Sequence, residues 1–156
     1  MIQIGIDPGM TGAIALLNTV EQDVITWDMP TLKARNGKAH TNIPALAALL
    51  REAAILRRHY PNSPTLKLEA VHAMPRQGVT SSFNFGEGFG AIKGVLATLG
   101  LPYELVTPQK WKKAAGLIGS HKDYARSKAL QLYPDADLAR KKDIGRADAI
   151  LIARYG

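Results

Sequence analysis

The opening segment, Ile2-Gln3-Ile4-Gly5-Ile6-Asp7, alternates β-branched residues with small or polar ones and stops at Pro8-Gly9, which predicts a strand that ends in an aspartate. The apolar run at 12–17 predicts a second strand and 24–29 a third before Pro30, so the chain should open as an antiparallel meander. Residues 31–40, around Gly37, have no apolar period and read as a mobile loop. Asn42 and Pro44 then start a helix whose Leu46, Leu49, Leu50, Ala53 and Leu56 share one face, until Tyr60-Pro61 ends it. A strand at 66–71 carries Glu69. From 82 to 99, Gly86, Gly88, Gly90, Ala91 and Gly94 predict a helix suited to close packing. A short strand at 103–106 is followed by a basic helical turn opened by Pro108, and then by a helix capped by Ser120 and running to Leu132. A final helix, preceded by Asp143 or Gly145, contains Ala147, Ile150, Leu151 and Ala153. Three early strands followed by alternating helices and strands predict one α/β domain over 1–156, with a mixed sheet flanked by helices.

Composition narrows the chemistry. With 156 residues and 46% hydrophobic side chains the chain can bury a real core. No apolar run approaches the roughly 20 residues that span a bilayer, and Met1-Ile2-Gln3-Ile4 lacks a basic leader, so a soluble cytoplasmic protein with no membrane partner is expected. There is no cysteine, hence no disulfide and no thiolate metal site. Any metal must sit on oxygen or imidazole, which makes carboxylates with Mg²⁺ or Mn²⁺ the default.

The net charge of +7 points to a polyanion, and its distribution sharpens the point. Residues 1–30 contain no Lys or Arg but carry Asp7, Glu21, Asp23 and Asp28, a net −4. Residues 110–142 hold nine basic side chains against Asp123, Asp135 and Asp137, a net +6. An acidic region that holds cations and a basic region that tracks phosphates are together what phosphodiester cleavage requires.

Asp7 ends an apolar strand, Glu69 sits in another, and Asp148 lies among Ala147, Ala149 and Ile150 on a helix. Each carries a desolvation cost unless it reaches water, pairs with a lysine or binds metal. Strand ends and a helix start can converge on one edge of an α/β sheet, and three such carboxylates together suit two divalent ions about 3.5–4 Å apart.

Three motifs add a family resemblance. Gly5-Ile6-Asp7-Pro8-Gly9-Met10-Thr11-Gly12-Ala13, then Leu68-Glu69-Ala70-Val71-His72-Ala73-Met74-Pro75 with its Gln77-Gly78 and Phe83-Asn84-Phe85-Gly86 continuation, and finally Gly145-Arg146-Ala147-Asp148-Ala149 resemble, in order, the motifs of RuvC-type Holliday junction resolvases, particularly their bacteriophage branch. The resemblance covers nearly the whole chain. It implies a ribonuclease H-like fold and a homodimer that cleaves four-way DNA junctions, possessing Mg²⁺ or Mn²⁺ held by four acidic residues. A phage-encoded protein would act in the host cytoplasm. By resemblance Asp7, Glu69 and Asp148 are three of the acids. The family often places its last two acids three residues apart, but position 145 is Gly, leaving Asp143 as the nearby candidate. On a continuous helix Asp143 and Asp148 would be about 140° apart, so Asp143 joins the site only from a loop or cap, or else simply caps the helix.

In the segment from Pro108 to Lys122, Lys112 and Lys122 match lysines that the family uses near the scissile phosphate, with Lys113 the alternative to Lys112. Each is equally compatible with ordinary backbone binding, for which Lys33, Arg35, Lys38, Arg76 and Lys110 are further candidates. Trp111 reads as a packing residue. Where some relatives carry an aromatic wedge this chain has His72, so Phe83, Phe85 or Phe89 would open a junction, unless they are core. His40, His72 and His121 are either ligands or ordinary satisfied histidines. Paired cuts on opposing strands need two sites, and the stretch 86–97, with Phe83, Phe89 and Ile92, is the expected dimer contact unless it packs on its own sheet.

Two other classes share some of these features. Asp7 followed by glycines and Thr11 also resembles the phosphate-binding hairpin of actin-like sugar kinases, but those need two such domains, and Asp143-Ile144-Gly145 follows charges rather than an apolar strand. A non-catalytic DNA-binding module would have no use for all of Asp7, Glu69 and Asp148. Within the nuclease reading the substrate is a four-way junction alone or also flaps and forks.

Overall fold

The computed structural model describes residues 1–33, 35, 37, 39–60, 62, 65–73 and 76–156. Strands β1 (Ile2–Asp7), β2 (Ala13–Asn18) and β3 (Asp23–Asp28) form the expected meander, and β6 (Leu66–Glu69) and β7 (Tyr103–Val106) extend it into a five-stranded sheet of order β3-β2-β1-β6-β7. β1 pairs antiparallel with β2, whereas β1–β6 and β6–β7 are parallel, so the sheet is mixed.

The two-residue period of β1 decides what each face of the sheet carries. Ile2, Ile4 and Ile6 point to one side, where Leu46 and Leu50 of α1 (Ile43–Arg58) and Ile92 and Leu96 of α2 (Val79–Thr98) complete a core. Gly5 and Asp7 point to the other, and so do Ala13, Ala15 and Leu17 of β2. That second face is covered by Trp111 of α3 (Pro108–Ala114), Ala125 and Ala129 of α4 (Asp123–Leu132), and Ala147, Ile150 and Leu151 of α5 (Ile144–Tyr155). A Cβ at Gly5 would overlap the Ala149 carbonyl and the Ala153 backbone, so the missing side chain is what lets α5 lie directly on β1.

Three local expectations are corrected. The segment read as a loop contains β4 (Thr31–Lys33) and β5 (Ala39–Thr41), paired antiparallel from Thr31↔Thr41 to Lys33↔Ala39. Its side chains are mostly exposed, so main-chain pairing left no apolar period to detect. Ser120 caps nothing, since α4 begins at Asp123 with Lys122 at the cap position. α2 starts at Val79, and of its glycines only Gly88 is tightly packed, against Thr41, while Gly86, Gly90 and Gly94 face open space. Among the described residues no helix is long and apolar enough to cross a membrane.

Candidate active site

The register Gly5↔Lys67 and Ile6↔Leu68 brings the ends of β1 and β6 level on neighbouring parallel strands. Asp7 and Glu69 therefore leave the sheet at the same edge and on the same face, the one covered by α5. Asp148 lies in α5 next to Ala149, whose carbonyl sits over Gly5. The three carboxylates converge from two strand ends and a helix.

Their environments are distinct. Asp7 Oδ1 accepts the Gly9 N–H at 3.1 Å. Burial raises its pKa, against the opposing effects of that hydrogen bond and of the Lys112 charge. Glu69 Oε1 accepts the Trp111 indole N–H at 2.8 Å. Burial raises the Glu69 pKa as well, opposed by Trp111 and Lys112 and reinforced by the negative charge of Asp7. Asp148 is pushed up to about 7, first by burial and then by Asp7 and Glu69, with Lys112 and Lys122 pulling the other way. Among the described residues none of the three forms an ion pair. They are desolvated, they feel one another, and their charge is only partly offset.

Asp7 and Asp148 open onto a cavity of about 550 Å³, whose walls include Trp111, Lys112, Lys122 and Lys142. Carboxylates and lysines lining one cavity suit a phosphate held together with a cation. The donors are hard oxygens, which suit Mg²⁺ or Mn²⁺ in kind. Among the described residues, however, no three potential ligands stand close enough to enclose an ion as placed. The fit is therefore one of donor chemistry and mutual repulsion and not of a closed coordination shell.

Asp143 belongs to a different cluster. Its carboxylate is 1% exposed, with Oδ2 accepting the Arg140 backbone N–H at 2.7 Å and Oδ1 the Arg140 Nε–H at 2.8 Å. Burial acts to raise its pKa, but the hydrogen bonds and charge of Arg140 outweigh burial and hold it below the usual carboxylate range. Arg140 also reaches Asp28 at 3.3 Å, and Arg146 joins Asp28 at 2.5 Å to Asp137. Although Asp143 occupies the cap position of α5, its side chain makes no capping hydrogen bond. Position 145 offers no substitute ligand, because a Cβ there would overlap the Thr11 carbonyl.

Two solved structures share this architecture. T. thermophilus RuvC in complex with a Holliday junction substrate is 16% identical, with a TM-score of 0.63 over 98% of this chain and 90% of that one. A second T. thermophilus RuvC structure is 18% identical, with a TM-score of 0.57 over 98% and 91%. The fold is RuvC-like. No protein-family model and no curated protein matches the sequence.

The RuvC-like fold sorts the basic residues expected from sequence. Lys112 and Lys122 line the cavity. Lys113 is exposed on α3 outside its lining, and Lys110 pairs with Glu104 at 3.9 Å. Lys33 is exposed on β4, and Arg35 and Arg76 are exposed, Arg76 with φ +66°. Lys38 lies outside the described residues. His121 lines the cavity, 3.4 Å from the Asp123 carboxylate, whereas His40 is on β5 and His72 is exposed. Phe83 is 72% exposed, Phe85 is half-buried, and Phe89 packs against the core with Lys93 over its ring.

Sequence reasoning missed two features of the site. Trp111 is a packing residue as expected, 1% exposed, but it also holds Glu69. A tryptophan one residue before Lys112 was the available signal, since a buried indole needs an acceptor. Lys142 on the cavity wall was hidden in the run Arg140-Lys141-Lys142, where only position relative to α5 separates the three.

Proposed function

We propose that this chain, as a single domain over 1–156, is a divalent-metal-dependent endonuclease that resolves Holliday junctions and other branched DNA by phosphodiester hydrolysis. The observation that carries the reading is the convergence of Asp7, Glu69 and Asp148 at one sheet edge, with Asp7 and Asp148 lining a cavity that Lys112, Lys122 and Lys142 also line, on a RuvC-like fold. A RuvC of that fold is seen with a Holliday junction substrate, which favours DNA as the polyanion expected from the +7 charge.

Mg²⁺ or Mn²⁺, as one or two ions on these carboxylates, would supply water activation and stabilisation of the leaving oxygen. The chain's own groups prepare the rest. The Gly9 N–H and the Trp111 indole each fix one oxygen of Asp7 and Glu69, leaving the other oxygen of each for a cation. Lys112 and Lys122 place positive charge near the carboxylates, where it offsets charge developing on a phosphate. Asp143 is no part of this set, since Arg140 holds both its oxygens.

The working unit we propose is a homodimer, because one chain has acids for one site and resolution needs paired cuts. The open glycines Gly86, Gly90 and Gly94, spaced by one helical turn along α2, supply a face that a second helix can approach closely. The test is to incubate the protein with end-labelled four-way, three-way and linear DNA, with and without Mg²⁺ or Mn²⁺. Symmetric, metal-dependent cuts in the branched substrates are expected. Equal cutting of linear duplex, or no cutting with either ion, removes the proposal.

A further inference from the structure

Two neighbours at the start of α5 have no role in the reading above: the cavity-lining Lys142 and the buried Asp143. Lys112 and Lys122 are near enough to act on Asp148, but Lys142 is not among the charges acting on any of the three carboxylates. It lines the cavity, is exposed, and among the described residues it has no acidic partner. A lysine ammonium left unpaired in a cavity that also holds two carboxylates and two further lysines is suited to an anion that extends past the carboxylates.

The backbone that presents Lys142 is held from inside. The Asp143 N–H donates to the Arg140 carbonyl at 3.0 Å, closing a turn over 140–143. The Asp143 carboxylate then takes both the Arg140 backbone N–H and its guanidinium, and Arg140 is tied onward to Asp28 at the end of β3. Asp143 is buried and Arg140 is exposed, so these charge-assisted hydrogen bonds satisfy the buried carboxylate and fix the conformation of the turn. Lys141 and Lys142 lie between Arg140 and Asp143, and of these Lys142 lines the cavity.

We propose that Lys142 binds a backbone phosphate next to the one held over the carboxylates, and that Asp143 is a positioning residue that fixes the turn presenting it. The inference rests on the DNA-cleaving reading and extends the phosphate track one step past the carboxylates.

The test is equilibrium binding of a fluorescent immobile four-way junction, followed by anisotropy in EDTA across a series of KCl concentrations. The wild-type protein should show a steep fall of affinity with salt. Lys142→Gln should make the slope shallower by about 0.9 and weaken binding about fivefold at 0.15 M salt, the signature of one lost phosphate contact. Lys141→Gln, the same charge change on an exposed neighbour outside the cavity, should change affinity less than about twofold, judged by the same one-contact scale. Asp143→Asn should reproduce the Lys142→Gln loss and add little to it in the double variant. By calorimetry it should keep Mn²⁺ binding, while Asp148→Asn loses it.

The failures are separable. A wild-type protein without salt-dependent junction binding sinks the nuclease reading and this inference with it. Normal wild-type binding with an unchanged Lys142→Gln slope overturns the inference alone, and so does a Lys141→Gln loss equal to that of Lys142→Gln. Loss of Mn²⁺ binding in Asp143→Asn would make Asp143 a ligand and overturn its positioning role.

Discussion

Asp148→Asn should make the metal-free protein more stable at alkaline pH while abolishing the proposed cleavage. In the folded chain Asp148 is pushed from an ordinary 3.8 to about 7, by burial first and by Asp7 and Glu69 next. A difference of about three pKa units corresponds to about 4 kcal/mol. Between the two values the folded state keeps a proton that the unfolded state has lost, so stability falls as pH rises and levels off above the folded pKa. From pH 5 to pH 8.5 the wild-type protein should lose about 2.7 kcal/mol through this group, and an asparagine, which does not ionise, should lose none of it. Urea unfolding of both proteins in EDTA at the two pH values measures the difference directly, with midpoint and slope read separately. Saturating Mn²⁺ should then stabilise the wild type and leave the variant unmoved. A stability difference between variant and wild type that stays constant from pH 5 to pH 8.5 would refute the reasoning, because it would show that Asp148 is ionised in the folded protein throughout.

Asp7→Asn and Glu69→Gln should each abolish cleavage in a gel assay while leaving junction binding in EDTA largely intact, and near-wild-type cutting would remove that residue from the site. Trp111→Phe keeps the ring but not the donor to Glu69, so cleavage should slow by about tenfold or more, with a stability loss near 1 kcal/mol; unchanged turnover in single-turnover kinetics would mean Glu69 needs no anchor. Gly5→Ala drives a methyl into the backbone of α5, and thermal denaturation should show a loss of about 3 kcal/mol; a neutral substitution would mean that α5 is not held against β1 as described. Sedimentation at micromolar concentration, with and without a four-way junction, should show a dimer, and a monomer in both that nicks one strand per binding event would replace resolution by single cutting.

Much of this was legible along the chain, because local periodicity encodes which way a side chain faces. Alternation in β1 separates Ile2, Ile4 and Ile6 from Asp7, and the apolar spacing of α1 marked the face that covers the sheet. The mixed α/β order follows from the same reading, and the three carboxylates stood out by their apolar settings, whereas the lysines at 112 and 122 were singled out only by the family resemblance. What the sequence left open is every choice of partner across elements. Nothing local distinguishes a Trp111 that only packs from one that holds Glu69, 42 residues away. Asp143, one position before the helix that carries Asp148, had every local mark of a ligand or a cap, yet Arg140 and Arg146 capture it. Likewise Gly145 is glycine because Thr11 occupies the space a side chain would need, and β4 and β5 pair through main-chain atoms that leave no trace in hydropathy. Burial of a face is a property of one element's own sequence, whereas a hydrogen bond or a steric limit depends on the distance between two elements, and that distance exists only once the sheet register and the seating of α5 are set.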